Sequence, residues 1–331
     1  MRHNKVTIQE VAKEAKVSIA TVSRVLNNYP HVSKRVKARV QEAIKKLNYQ
    51  PSVFAQRLAG KFLNTVSLIM PAYEGMFYSY YGNEIVRSVA DACVDFDYDL
   101  LLHISSRRKK IHFSSVDGAL FADIIENEKE LEECVLQGKP CVVINRIVDS
   151  HQVSFVAVDN KGGAYEATKY FVNLGHSRIA HITGDLRTQC AQQRLEGYKK
   201  ALEDSGIKVD EAFIKTGDFS RASARRAMEE FLRVKRHPTA VFCASDDMAQ
   251  EAILVVQEKK LKVPDNISII GFDDNPSCLL GPISLSTVRQ PLREMARKGV
   301  EILDSHIKGK KSPEKVILPC RLVVRDSCDF A

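Results

Sequence analysis

Apolar and polar positions alternate with two different periods along the chain. Up to residue 50 the period is helical. Ile8, Val11, Ala12 and Ala15 fall at i, i+3, i+4 and i+7, one face of a helix. Thr7-Ile-Gln-Glu10 overlaps them as a capping box, in which a hydroxyl and a carboxylate three residues apart satisfy the unpaired amides of a helix start. A tight break at Lys16-Val17 leads to Ser18 as a second N-cap and a short helix with Val22, Val25 and Leu26 inward. Asn27-Asn28-Tyr29-Pro30 is turn chemistry, and Ser33 caps a third helix that buries Val36, Val40, Ala43, Ile44 and Leu47. The pattern predicts three short helices, the first two joined by a tight turn.

From Val66 onward, strand-length apolar runs alternate with helical patterns: Val66–Met70, Leu100–Ile104, Gly118–Phe121, Cys141–Ile144 and Phe155–Val158, then Ile179–Ile182, Ala240–Ala244 and Ile267–Ile270. Such alternation predicts doubly wound parallel sheets. With the late runs Ser286-Thr-Val288 and Leu322-Val-Val324 there are more strands than one compact unit holds, so two sheets are expected. The length of 331 residues agrees, because single cores stop growing near ~250–300 residues.

Charge separates the same two parts. Residues 1–60 carry 12 Lys and Arg against 3 Glu, a net +9, while the other 271 residues sum to −1. The basic end seeks a polyanion and the rest is an ordinary soluble body. Three capped helices with a tight turn read as a helix-turn-helix, whose second helix enters the major groove of double-stranded DNA. Its outward positions are Ile19, Ala20, Thr21, Ser23 and Arg24. The Arg24 guanidinium can grip two acceptors of guanine, and Ile19 and Ala20 can touch a thymine methyl. Thr7, Ser18, Thr21, Ser23, Asn27 and Ser33 suit phosphate contacts that fix register. A bundle with a solvated basic face would not require charge, caps and turn to coincide.

Other classes lose ground on composition. No run has signal-peptide or membrane-spanning character, and cytoplasmic residence is expected. The 8 cysteines are scattered without a CxxC and read as buried free thiols in a reducing compartment. No GxxxxGK[ST], GxGxxG, HExxH or GxSxG occurs, so no cofactor, no metal and no catalytic residue is expected.

Val6–Ala15 and Val17–Asn27 resemble the LacI/GalR family of bacterial transcription regulators, and Tyr49–Leu58 looks like that family's hinge segment. The likeness continues through Leu174–Gly184, Arg194–Tyr198, Pro238–Ala249, Val263–Asp274 and Ser286–Pro291, in the family order. It implies an α/β chain: an N-terminal all-α helix-turn-helix domain (1–50), a hinge helix and linker (51–64), and a periplasmic-binding-protein-like core (65–331) for effector binding and dimerisation. The core would hold two doubly wound parallel-sheet subdomains, about 65–159 plus 289–319 and about 160–288 plus 320–331, flanking a cleft and joined by three crossovers. By the same resemblance Leu58 wedges into the minor groove, and the protein is a homodimeric repressor of a near-palindromic operator.

Open parallel sheets bind ligands beyond their carboxyl edges, which brings Ser245, Asp246, Asp247, Asp273 and Asp274 forward. The resemblance implies that Arg194 and Asp273 hydrogen-bond a small effector, that Phe219 stacks on it and that Ser245 lines the pocket. An Arg facing an Asp suits the donors and acceptors of a sugar or similar polyol, hence a carbohydrate effector. Asp246 reads equally well as a helix N-cap followed by a dipole-stabilising Asp247. Gly175-His176 reads as a helix end. On the other side of the cleft Tyr80 and Tyr81 are preferred, with Phe77 and Tyr78 as the alternative, in a segment longer than the family pattern.

A second departure lies between Ile104 and Val116, where 11 residues replace a whole family helix. That is at the floor of ~10–12 for a parallel crossover, so the helix is expected shortened to a turn or two or lost, leaving a sheet face locally uncovered. Arg107-Arg-Lys-Lys110 in it reads as a solvated loop or an anion site. No leucine heptads follow Val324, so nothing points to a tetramer. Two rival functions stay open: an enzyme using the Asp246-Asp247 and Asp273-Asp274 pairs, and a regulator whose core is ligand-blind or controlled by another protein.

Overall fold

A computed structural model describes residues 6–26, 32–49, 63–72, 76–105, 111–123, 125, 127–310 and 312–331. The chain forms two compact units, Met1–Leu63 and Asn64–Ala331.

In the first unit, α1 spans Ile8–Glu14, α2 Ile19–Leu26 and α3 Lys34–Leu47. The capping box is closed in both directions: the Thr7 N–H donates to Glu10 Oε2 at 2.7 Å and the Glu10 N–H donates to Thr7 Oγ1 at 3.4 Å. Lys16 turns the chain with φ +50°, Ser18 Oγ accepts the Thr21 amide at 3.2 Å, and Ser33 Oγ accepts that of Val36 at 3.4 Å. Val11, Ala12, Ala15, Val22, Val25, Val40 and Ala43 meet in a small core, closed by Tyr49. A Lys46–Glu14 ion pair at 2.6 Å ties α3 to α1.

The second unit contains two sheets of six strands. The first has the order β11 (Lys315–Leu318), β5 (Ser154–Val158), β4 (Cys141–Ile144), β3 (Gly118–Ala122), β1 (Thr65–Pro71), β2 (Asp99–Ser105), all parallel. Helices α4 (Tyr80–Asp95) and α10 (Leu292–Ile307) cover one face around Leu68, Leu120, Ile144 and Leu303. The other face buries Ile69, Phe121 and Phe155 under α5 (Glu128–Leu136).

The second sheet has the order β12 (Arg321–Val323), β10 (Ser286–Arg289), β9 (Ser268–Asp273), β8 (Ala240–Cys243), β6 (Ile179–Ile182), β7 (Ile214–Lys215). Against the all-parallel expectation, β12 is antiparallel to β10. Helices α6 (Asn160–Asn173) and α7 (Gln189–Glu203) cover one face, α8 (Arg221–Arg233) and α9 (Asp246–Glu258) the other. The chain passes between the sheets after β5, after β10 and after β11.

The shortened crossover contains one 3-10 turn, Phe113–Ser115, while residues 106–110 lie outside the described residues. Ile111 and Phe113 fill the place of a helix over part of the sheet, with Phe113 6.4 Å from Phe121 between ring centroids. Edge strand β2 leaves Leu101, Leu102 and Ile104 exposed. Gly175, at φ +90°, does end α6, and buried His176 is bonded to Thr239 and to the Asp329 carbonyl.

Candidate functional site

Helix α2 presents Ser18, Ile19, Ala20 and Arg24 to solvent, with Thr21 and Ser23 half-buried beside them. Ile19 is 45% exposed although it is apolar, which suits contact with a base edge better than with water. The hydroxyls expected at phosphates are partly engaged locally. Thr7 Oγ1 donates to Glu10, and the Ser18 and Thr21 hydroxyls share a bond of 2.9 Å. Asn27 and Leu58 lie outside the described residues.

In the second subdomain the polar groups gather at carboxyl strand ends, where a parallel sheet leaves room for ligands. Arg194, on the second turn of α7, is 3% exposed. Arg194 and Asp273, expected to face one another, share no direct hydrogen bond. The Arg194 Nε–H donates to Asn160 Oδ1 at 2.9 Å, Nη1 donates to the Ala244 carbonyl, and the guanidinium lies 3.8 Å from the Phe272 ring centroid. Asp273 Oδ1 instead accepts from Gln290 Nε2 at 2.6 Å. Burial, then the neighbouring Asp246, push the Asp273 carboxyl well above the usual range, against the opposing pull of Arg194. Arg194 therefore reaches Asp273 through its field rather than by a direct bond.

Ser245 is the N-cap of α9, its Oγ accepting the Met248 amide at 3.4 Å. Asp246 is thus the first helical residue and not the cap. Its carboxylate is fully buried, accepting from the Thr287 hydroxyl and, at 2.7 Å, from the Asn275 amide. A Cβ on Gly271 would lie 2.2 Å from Asp246 Oδ1, so only glycine leaves that carboxylate its place. Asp274 is held between Arg289 and Arg325, each at 2.6 Å. Both acid pairs thus have structural members, which weakens the enzymatic reading. Phe219 has φ +67°, and its ring lies directly on Gly184 at the end of β6.

The first subdomain contributes Tyr80 and Tyr81, both half-buried against its core, whereas Phe77 is 63% and Tyr78 92% exposed. Burial, then Glu84, raise the Tyr80 hydroxyl to about 12, while burial raises the Asp247 carboxyl of the other subdomain, with Arg221 and the Tyr80 backbone opposing. Residues missed in the sequence complete the arrangement. Asp123 follows β3 and Asn145 follows β4, both with positive φ, and Asn145 Nδ2 donates to Asp123 Oδ1 at 2.9 Å. Burial raises Asp123 to about 6, with Tyr81, Asn145 and Arg194 opposing. Gln189, first residue of α7, accepts the Ile147 N–H at 2.7 Å and donates to the Ile147 carbonyl at 3.1 Å, a paired tie between subdomains. The strand-end rule that selected Asp273 applies equally to Asp123 and Asn145.

Asp123 gives a pH prediction. Its folded value of about 6 stands above the ordinary 3.8, so its contribution to stability is full below about 4 and lost as pH rises through about 6. Asp123→Asn is expected to stabilise the core by about 3 kcal/mol at pH 7 and by almost nothing at pH 3.5. Urea unfolding across that range checks it; an equal gain at both pH values refutes the assignment.

Among the described residues no cluster of His, Cys, Asp and Glu could hold a metal, and no helix is long and apolar enough to cross a membrane.

A basic helix-turn-helix unit followed by a core of two parallel-sheet subdomains defines a class, the DNA-binding regulators built on a periplasmic-binding-protein-like body. Sequence models agree: "Bacterial regulatory proteins, lacI family" matches residues 7–52 and "Periplasmic binding protein-like domain" matches 168–328. The HTH-type transcriptional regulator DegA of Bacillus subtilis is 33% identical over 335 residues, covering 98% of each chain. Catabolite control protein A of Priestia megaterium is 32% identical over 332 residues, 97% of this chain and 99% of that one. The lac repressor dimer bound to operator and the anti-inducer ONPF matches with a TM-score of 0.88 at 25% identity, over 99% of this chain and 100% of that one. A CelR–cellobiose complex matches with 0.74 at 30% identity, over 97% and 99%. The chain belongs to the LacI family of bacterial regulatory proteins. It is a DNA-binding transcription regulator, and the enzymatic alternative falls.

Proposed function

We propose that the protein is a cytoplasmic, homodimeric repressor that reads a near-palindromic double-stranded DNA operator and responds to a small carbohydrate in the cleft between its subdomains. The observation that carries the effector reading is the buried Arg194, packed on the Phe272 ring and acting on both Asp273, with its partner Gln290, and Asp123 of the first subdomain, with its partner Asn145. Buried donors and acceptors next to an aromatic ring suit a polyol with one apolar face. The CelR structure is a cellobiose complex, which supports the same chemistry. Calorimetry with a panel of mono- and disaccharides tests it. Saturable binding lost in Asp273→Asn supports the reading, and no binding by any sugar overturns it.

Two exposed stretches of the second subdomain support the dimer. Leu254 of α9 and Leu279 and Leu280 after β9 are 42%, 62% and 82% exposed, Leu254 and Leu280 lining a surface groove of about 220 Å³. Three large exposed leucines on a soluble chain call for a partner surface. The lac repressor in the matching structure is a dimer.

For DNA, Arg24→Ala is expected to cost ~1–3 kcal/mol at its cognate base and to relax specificity there. Fluorescence anisotropy with operator and random duplexes reads it. Equal losses on both would leave Arg24 a phosphate contact only.

A second reading has one observation of its own. The Gln189–Ile147 tie joins the subdomains directly through their own chain atoms, a link that could hold a ligand-blind core. Under that reading Gln189→Ala, not a sugar, changes operator affinity.

A further inference from the structure

The cleft lies beyond the carboxyl end of β6. At the opposite, amino end of that strand the second subdomain has a cavity of about 500 Å³. This is within the ~300–1,000 Å³ of small-molecule sites, and the length of β6, roughly 13 Å, separates it from the cleft. Its floor is apolar: Ile179, fully enclosed, with Phe213 half-buried and Val234 48% exposed.

The rim is cationic. Arg178, Lys208 and Arg236 line it against a single carboxylate, Asp210. Asp210 is committed to the local turn, accepting the Ala212 amide at 2.9 Å. The Arg178 Nε–H donates to the His237 carbonyl at 3.0 Å, which steadies the guanidinium and leaves its two terminal nitrogens for another acceptor. Among the described residues neither Lys208 nor Arg236 has an ion-pair partner, although nearby lysines do: Lys199 pairs with Glu211 at 2.9 Å and Lys215 with Glu230 at 2.7 Å. Among the described residues, Lys208 and Arg236 thus line the apolar hollow without an ion-pair partner.

We propose that this cavity is a second ligand site, which takes a small organic anion. Its phosphate or carboxylate pairs with Arg178, Lys208 and Arg236, and its apolar body lies on Ile179, Phe213 and Val234. Arginine forks grip such oxygens in pairs. The site is distinct from the cleft and stands whether or not the cleft takes a sugar. It shares with the cleft both β6 and α7, since Leu202 at the far end of that helix lines the cavity while Arg194 faces the cleft.

Titration calorimetry on the full chain with phenyl phosphate, benzoate and inorganic phosphate tests it. Phenyl phosphate is expected to saturate one site per chain, and inorganic phosphate, lacking the apolar body, to bind more weakly. Benzoate binding above phenyl phosphate would make the natural group a carboxylate, the reverse a phosphate. The double variant Lys208→Glu, Arg236→Glu is expected to weaken phenyl phosphate binding by about tenfold or more. Val234→Asp should do likewise, with Lys208→Met, Arg236→Met as a charge-neutral check on folding. Asp273→Asn, in the cleft, should leave it unchanged. Absence of saturation, indifference to the rim variants, or loss in Asp273→Asn instead would overturn the proposal.

Discussion

Replacing Leu280 by arginine is expected to leave the fold intact and to convert the protein into a monomer with about 10²–10⁴-fold weaker operator binding. Leu280 is 82% exposed, so its loss removes no core packing. In the proposed two-fold interface the substitution is made twice, so two guanidinium groups would have to be buried without partners in an apolar contact. In the proposed dimer the loss of affinity would come from separating two readers that are presented together to both half-sites. Sedimentation velocity and anisotropy on one sample check both parts. A dimer of unaltered affinity would place the interface elsewhere.

Arg194→Met should destabilise the core by about 3 kcal/mol and remove any response to a cleft ligand. The side chain is buried, and its charge opposes the unfavourable ionisation of Asp273 and Asp123. Without it both carboxyls are expected to hold their protons to higher pH, so the loss should shrink in acid. Chemical denaturation at pH 5 and pH 7.5 measures it. An equal loss at both would assign Arg194 to packing on Phe272 alone.

The helical unit was legible almost residue by residue, because its capping box, turn and inward valines are local signals. So were the strands with continuous apolar runs. β7 is two residues long, and β11 alternates with exposed positions at the sheet edge, so neither stands out from loop. Asp273 was found because it ends such a run. Asp123 was not, since Ala122-Asp-Ile-Ile125 continues apolar on both sides of it. The partners of Arg194 were beyond sequence reasoning altogether: a backbone carbonyl, an amide and a ring, 50, 34 and 78 positions away in the chain. Whether Ser245 or Asp246 caps α9 was undecidable locally, as both cap well. The missing side chain of Gly271, in another strand, makes room for Asp246 to turn inward.

The three passages between the sheets also set a timetable. The reader is continuous in Met1–Leu63, but the second sheet waits for β12 and the first for β11, both within the last residues of the chain. Domains fold as units as they leave the ribosome, so on each new molecule the DNA-recognising part matures before either half of the sensor can close. A chain stopped short of Leu318 would retain the first capability and lack the second.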